Sequence, residues 1–399
     1  MNRNYRKFSS VILVCAFILT TFQLCALQLK NFTQIMAHKK KGVVKNKVFS
    51  DRQKIIVDKM KELINNKTTS AEYGDEFVRF LERESSPQNS NVIMRCTIDS
   101  NLSYSSYVVG KYMHSNMNQE KCIQFEHFVK KVAISVNKQM DVFISLNDTF
   151  GFSPETTDFI KNHIILLSCE NRKEKGYVAI PIPDFYTTDP SNHKLFSENI
   201  KNEIPFFDRE NKAKFIGQQT SIYSRYRNTP EWIEKTPRLK AFHLARKYPD
   251  HLLVDFLSYQ TCADEEYVNY MYNTFGPPAP YEPMETLAQY RYLLSFDGCT
   301  SPWLRPEFIM RSGSVPLFQT RFEKFWTILL EDGVNYIKIN DDVSNLVDSV
   351  IFLKNHPEYA EKVARNAQSL GQDVLTSDFF RRYLEELFNE TNHQQNKKK

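Results

Sequence analysis

Apolar and polar positions divide the chain into three stretches: a long uncharged run, a polar stretch, and an alternation of short apolar strands with amphipathic helices. Residues 8–29 carry no charge and follow Arg3, Arg6 and Lys7. An apolar run of about 20 residues matches a bilayer core, so residues 1–30 read as a signal anchor or a cleaved signal peptide. Basic residues ahead of the run favour a cytosolic N-terminus and a lumenal body. Residues 31–90 are polar and rich in Lys and Glu, with helical apolar spacing at 54–64 and 76–84. They read as a stalk and lead-in.

From about residue 90 the periodicity becomes that of a folded body. Phe125, Phe128, Val132 and Ile134 predict a helix over 125–137. Met140-Asp-Val-Phe-Ile-Ser-Leu146 predicts a short buried strand, and 163–168 another. Composition turns polar near 200, which divides the body into an acceptor-side domain over 91–200 and a second domain over 201–392. In the second, 214–217 reads as a strand, and Thr236-Pro237-Arg238 opens a helix over 236–246 with a capping threonine and a first-turn proline. Residues 292–296 and 335–339 read as strands, 344–353 and 359–370 as helices, with Gly371 as the C′ residue. Strands alternating with helices predict an α/β body built on parallel sheets.

Three places in this pattern are candidates for chemistry. Asp297-Gly298 follows a buried strand and lets the backbone turn tightly, while Thr300, Ser301 and Pro302 suit a helix start. Such a junction offers free N–H groups and a positive dipole end to an anion, although an ordinary strand-to-helix connection fits equally well. Asp148 stands beyond the carboxyl end of the strand at 140–146, where ligands bind in open α/β sheets. A catalytic carboxylate and a turn-capping aspartate both fit there. Arg238, near a helix start, suits either bidentate phosphate contact or a solvated ion pair.

Composition narrows the classes. With 30 Phe, 20 Tyr and 11 Gly, the chain is neither collagen-like nor of low complexity. Much of the net charge of +5 sits in the lysines at 39–47 and 397–399, so a nucleic-acid partner is not implied. Asn31, Asn66, Asn101, Asn147 and Asn389 each head a glycosylation sequon, which fits an endoplasmic reticulum or Golgi lumen. Of the seven cysteines, Cys15 and Cys25 lie in the apolar run; the remaining five leave at least one thiol free or paired with another chain. No Cys/His spacing suggests a metal, and there is no phosphate-binding GKS/T loop or GxSxG elbow.

Several motifs, taken in order, resemble glycosyltransferase family 90, which includes lipopolysaccharide-modifying glycosyltransferases, capsule xylosyltransferases and Rumi-type protein O-glucosyltransferases. The resemblance runs from about Asp141 to Asn389. Its strongest part is Tyr292-Leu-Leu-Ser-Phe-Asp297-Gly298-Cys-Thr300-Ser301-Pro-Trp303, followed by Ser312-Gly-Ser314. Asn335-Tyr-Ile-Lys-Ile339 with Asp342-Val-Ser-Asn-Leu346 is similar to the family's later strand-and-turn segment. The resemblance implies a GT-B architecture, two Rossmann-like domains facing across a cleft. It also implies an inverting transfer of glucose or xylose from a UDP-sugar to a hydroxyl of a protein or glycan, with no metal required. By the same resemblance Asp148 is the general base, Thr220, Ser221, Gly298, Thr300, Ser301 and Arg305 line the donor site, and Arg238 neutralises the leaving diphosphate. A type II single-pass protein is implied, or a secreted one if the N-terminal segment is cleaved. The match departs from the family at Ile216 (Arg there), Asn147 (Arg in the O-glucosyltransferases) and Cys299 (Asn there). Extra residues before Arg238 leave Arg225 and Arg227 open as phosphate ligands. A glycan on Asn147 would crowd Asp148. A descendant that binds glycan or nucleotide sugar without turnover is the alternative.

Overall fold

In a computed structural model, residues 48–84, 93–109, 116–145, 152–183, 204–220, 236–259, 265–298, 300–302 and 304–397 are described, the side chains of 116–125 and 266–267 excepted. The apolar run at 8–29 lies outside them. Among the described residues no helix is long and apolar enough to cross a membrane.

The stretch read as a lead-in holds two helices, α1 (Asp51–Asn65) and α2 (Ala71–Glu84). Ser50 and Gln53 start α1 with a reciprocal capping box. The Ser50 hydroxyl also donates to Asp373 near the other end of the chain, and Lys61 pairs with Glu386 at 2.5 Å. Residues from Ser50 onward form one compact unit. The boundary expected near 200 lies in 184–203, outside the described residues.

Among the described residues, two five-stranded sheets organise that unit. The first is built from β1 (Ile93–Ile98), β2 (Tyr104–Val109), β3 (Met140–Ser145), β4 (Leu166–Ser168) and β6 (Ile180–Pro181), in the order β2-β1-β3-β4-β6. Helices α3 (Asn116–Val136) and α4 (Pro154–His163) connect its strands. This sheet is mixed: β3, β4 and β6 run parallel, but β1 is antiparallel to both neighbours. The cause is a tight turn after β1, where Asp99 Oδ1 accepts the N–H groups of Asn101 and Ser103. A link that short reverses the chain and cannot make a parallel crossover. The strand expected over 163–168 begins only at Leu166, because α4 runs through His163. A cluster of Phe77, Phe80, Phe143, Ile160 and Leu166 fills the core beneath.

The second sheet is wholly parallel: β7 (Glu210–Gln218), β8 (Leu252–Ser258), β9 (Tyr290–Phe296), β10 (Val315–Gln319) and β12 (Ile337–Lys338), in the order β12-β10-β9-β7-β8. Around it pack α5 (Pro237–Lys247), α6 (Glu265–Phe275), α7 (Arg305–Arg311), α8 (Leu346–Asn355) and α9 (Pro357–Val374), and α10 (Ser377–Asn396) follows them in the chain. β9 is the central strand and almost wholly buried, which is why it reads as a continuous apolar run. Phe215, Phe242, Phe256, Tyr292 and Phe296 form the heart of this core. Numbered along the chain, the strands stand in the order 2-1-3-4-5. The chain therefore winds one way from β7 to β8 and the other way from β9 onward, so a crevice opens between the carboxyl ends of β7 and β9.

Gly371, expected just past a helix at 359–370, instead lies inside α9. A Cβ there would stand 2.8 Å from Arg311 Cγ and 2.9 Å from the Met310 carbonyl oxygen, so the glycine permits α9 to cross closely over α7. α10 then returns to the first sheet. Asn392 Nδ2 donates to Gln139 O, and the Gln395 amide bonds both N–H and C=O of Asp141 in β3. It carries the sequon at Asn389, whose Thr391 is fully buried; Asn66 and Asn101 are exposed, and Asn31 and Asn147 lie outside the described residues.

Candidate active site

At the crevice between β7 and β9 the structure brings together four of the expected site residues, Thr220, Arg238, Gly298 and Arg305. The ladder between these strands extends only to Lys214 and Leu293; beyond it the two part. Carbonyl groups freed by that parting need donors. Arg238 supplies them: Nη1 donates to Gln218 O and to Thr220 Oγ1, both at 2.7 Å, while Nε and Nη2 donate to Phe296 O at 3.2 and 2.9 Å. One guanidinium thus bridges the carboxyl ends of both strands. It can do so because Thr236 caps α5, accepting from Leu239 N, and Pro237 fixes the first turn on which Arg238 rides. The first turn of α5 holds no acid, so its dipole end and the arginine add as positive charge.

Arg305 joins from α7. Its Nη2 donates to Ile216 O at 2.5 Å, and its Cζ stands 4.6 Å from the centre of the Phe215 ring, which Arg238 approaches to 5.6 Å. Among the described residues Arg305 has no carboxylate partner. Burial first, and then the Arg238 charge, push its pKa down to about 9. It stays charged near neutrality, at a cost that an anion in the crevice relieves. Ile216, where the resemblance leads one to expect an arginine, is buried in the sheet and offers its carbonyl to Arg305.

Gly298 closes the crevice from the β9 side. A Cβ on it would lie 2.4 Å from Thr220 Oγ1 and 2.9 Å from Arg238 Nη2. The requirement for glycine here is one of space. Gly298→Ala is expected to cost about 1–3 kcal/mol by overpacking, and Thr220→Ala to restore part of it. Denaturant melts of the two single variants and the double variant check this; additive losses would mean the contact is absent.

Asp297, next to that glycine, is buried to 3% exposure. Its Oδ2 accepts the Arg321 N–H at 2.6 Å, and among the described residues its Oδ1 has no hydrogen-bond partner. Burial pushes its pKa up to about 6, against the smaller lowering effects of the Arg321 N–H, the Thr320 hydroxyl and the Arg321 and Arg238 charges. A raised acid stabilises the fold below its unfolded value near 4 and loses that contribution as pH rises through about 6. Relative to Asp297→Asn, the native protein should therefore lose about 1–3 kcal/mol of stability between pH 4 and pH 7. Parallel unfolding profiles for the two proteins would mean that Asp297 ionises as an exposed carboxyl does.

The expected helix start at Thr300, Ser301 and Pro302 is not one. α7 begins at Arg305, after Leu304, with Pro306 in its first turn and no side-chain cap. The loop goes elsewhere: Gly298 N donates to Thr300 O, and Ser301 N donates to Glu170 Oε2 at 3.2 Å. The cradle at this end of β9 is therefore made by guanidinium groups more than by a helix dipole. Glu170 was not singled out in the sequence, although an acid at the carboxyl end of an apolar strand was the available signal. It comes from the first sheet, and its segment is tied to the second: β5 (Asn171–Arg172) pairs with β11 (Phe322–Glu323), and Lys173 N donates to Arg321 O.

Ser312-Gly-Ser314 belongs to the opposite end of the sheet. Arg209 Nη1 donates to Ser312 O and Ser314 Oγ, and Ser314 Oγ donates to Tyr290 O. That motif ties the amino ends of β7 and β9 together, with Gly313 at φ 73° making the turn. Asp148, Ser221, Arg225, Arg227 and Cys299 lie outside the described residues.

The model of glycosyl transferase family 90 matches residues 198–398, the C-terminal half of the chain. The chain belongs to glycosyltransferase family 90. Thr220, Arg238, Gly298, Thr300, Ser301 and Arg305 fall inside the matched range, whereas Asp148 precedes it. The chain is similar to protein O-glucosyltransferase 1 of Homo sapiens, 23% identical over 291 residues, 69% of this chain and 67% of that protein. It is 34% identical over 82 residues to the O-glucosyltransferase LpsA of Dichelobacter nodosus, a match covering 20% of this chain and 26% of that protein. Over 114 residues it is 24% identical to protein O-glucosyltransferase 2 of Danio rerio, covering 29% of this chain and 23% of that protein.

Proposed function

We propose that the protein is an inverting glycosyltransferase that moves glucose or xylose from a UDP-sugar to a hydroxyl of a protein or glycan. The observation that carries the donor half of this reading is the Arg238 guanidinium spanning the carboxyl ends of β7 and β9, with Arg305 beside it. A crevice at a strand-order switch, lined with two arginines, suits a nucleoside diphosphate. Three of the similar proteins carry O-glucosyltransferase in their names, which supports the acceptor as a hydroxyl.

In this reading the two sheets belong to two Rossmann-like lobes of a GT-B enzyme, the first presenting the acceptor and the second the donor. Asp148, beyond the end of β3, takes the proton of the acceptor hydroxyl as that oxygen bonds to the anomeric carbon. The bond from that carbon to the β-phosphate breaks on the opposite face. UDP leaves with the bonding pair, and Arg238, Arg305 and Thr220, with Ser221 and the Gly298–Ser301 loop, stabilise its charge. Cationic side chains fill the part a metal plays elsewhere, so we propose that no metal is needed. The segment at 8–29 holds the body in the lumen of the endoplasmic reticulum or Golgi as a type II protein, or directs secretion if cleaved.

The test is UDP release by the purified full-length protein from UDP-glucose and UDP-xylose, with hydroxyl acceptors present, beside a thermal-shift titration with UDP. Turnover of one donor and a saturable rise in melting temperature are expected. A saturable rise without turnover would assign the protein to binding alone, and the absence of both would overturn the donor reading.

A further inference from the structure

Gln319 ends β10 directly beside Phe296, the last residue of β9. Its side chain is buried to 1% exposure and makes two hydrogen bonds of opposite sense. Oε1 accepts the backbone N–H of Asp297 at 3.1 Å, and Nε2 donates to Asp341 Oδ1 at 3.0 Å. A carboxylate accepts and does not donate, so Asp341 dictates which end of the amide faces it. The amide oxygen is thereby turned toward Asp297. That N–H lies past the end of β9, where β7 has already parted, and a buried N–H there needs an acceptor. On the far side of the same residue, Asp297 Oδ2 accepts the Arg321 N–H. The turn is therefore gripped from two directions. What it carries is Gly298, packed against Thr220 and Arg238 with no room for one more carbon. A displacement of a few tenths of an ångström at Asp297 changes that approach directly.

We infer that Gln319, oriented by Asp341, is a positioning residue that sets the Asp297-Gly298 turn against Arg238 and so sets the affinity of the crevice for a nucleoside diphosphate. The inference rests on the donor reading above. Asp341, at the end of the segment that β12 opens, is exposed and in sequence reads as turn chemistry.

UDP titration by calorimetry and amide exchange at Asp297, both on the full-length protein, test it. Gln319→Glu sets a carboxylate opposite the Asp341 carboxylate. It should raise the UDP dissociation constant about tenfold and speed Asp297 exchange by a similar factor, the scale of one lost buried hydrogen bond. Adding Asp341→Asn supplies a donor to the new carboxylate and should return both readouts to within about threefold of the native protein. A general packing defect at Gln319 would not be repaired from an exposed position. Native UDP affinity in Gln319→Glu, or a defect that Asp341→Asn leaves unchanged, overturns the inference. If the native protein binds no UDP, the donor reading fails instead. Exchange at Asp297 in the same three variants then still decides whether the pair holds the turn.

Discussion

Arg238→Ala is expected to lower kcat/KM for the UDP-sugar by about 100- to 1,000-fold, the scale found when one preorganised donor to developing charge is removed. Two effects combine in that number. The guanidinium is the group best placed to meet a leaving diphosphate, since it stands where β7 and β9 part and donates toward both strand ends. It also ties the two strand ends together, and Phe296 O loses its Arg238 donors when it goes, whereas Gln218 O keeps the Thr220 N–H. A buried carbonyl left without its partner costs about 1–3 kcal/mol, so a lowered melting temperature should accompany the loss of activity. Arg238→Lys separates the two effects. It keeps the charge but has no planar fork to span two carbonyls, so it should recover part of the diphosphate affinity and little of the stability. Steady-state kinetics and melts on both variants give the answer. A folded Arg238→Ala protein with undiminished kcat/KM would move the phosphate site elsewhere, with Arg225 and Arg227 the next residues to test.

The second large effect is expected at Asp148. Replacing the general base with an amide of the same size removes proton abstraction while leaving polarity and shape nearly unchanged. Asp148→Asn should lower kcat about 100- to 10,000-fold with little change in UDP affinity. That combination separates a base from a donor ligand, which would lose affinity as well. Rapid-quench measurement of sugar transfer, beside UDP calorimetry, reads both. The residue stands in a sequon with Asn147, so Asn147→Gln is the companion variant. It should retain activity if the base works unglycosylated. Equal kcat in native and Asp148→Asn proteins would place the base on another carboxylate, with Glu170, which reaches Ser301 from beyond the end of β4, the next residue to test.

Much of the architecture is legible in the chain because burial leaves a periodic trace. β9 is buried on both faces and reads as an unbroken apolar run; α5 announces itself through Thr236 and Pro237, whose chemistry is local. The α/β class follows from that alternation. Local chemistry misleads where a distant partner overrides it. Thr300, Ser301 and Pro302 have the residues of a helix start, but the Ser301 N–H is taken by Glu170, more than a hundred residues earlier, and the helix waits until Arg305. Gly371 has the look of a helix end, but what decides its place is the proximity of Arg311 and Met310 on another helix. The first sheet was expected to be parallel, and the short turn at Asp99 makes its edge antiparallel.

The sequence alone determined the strands that lead to Thr220 and Gly298, the helix that carries Arg238, and the order of motifs that marks the family. Helical and strand periodicity, capping and turn chemistry act over a few residues, so a linear reading reaches them. Only the tertiary structure decided that these three residues and Arg305 meet. It set the strand order that parts β7 from β9, and it used Arg238 and Arg305 to satisfy the carbonyls that parting exposes. It also removed the space for any side chain at Gly298 and placed Gln319 and Asp341 behind the turn. Those are contacts between residues 20 to 90 positions apart, and sheet order, which brings them together, leaves no periodic signal along the chain.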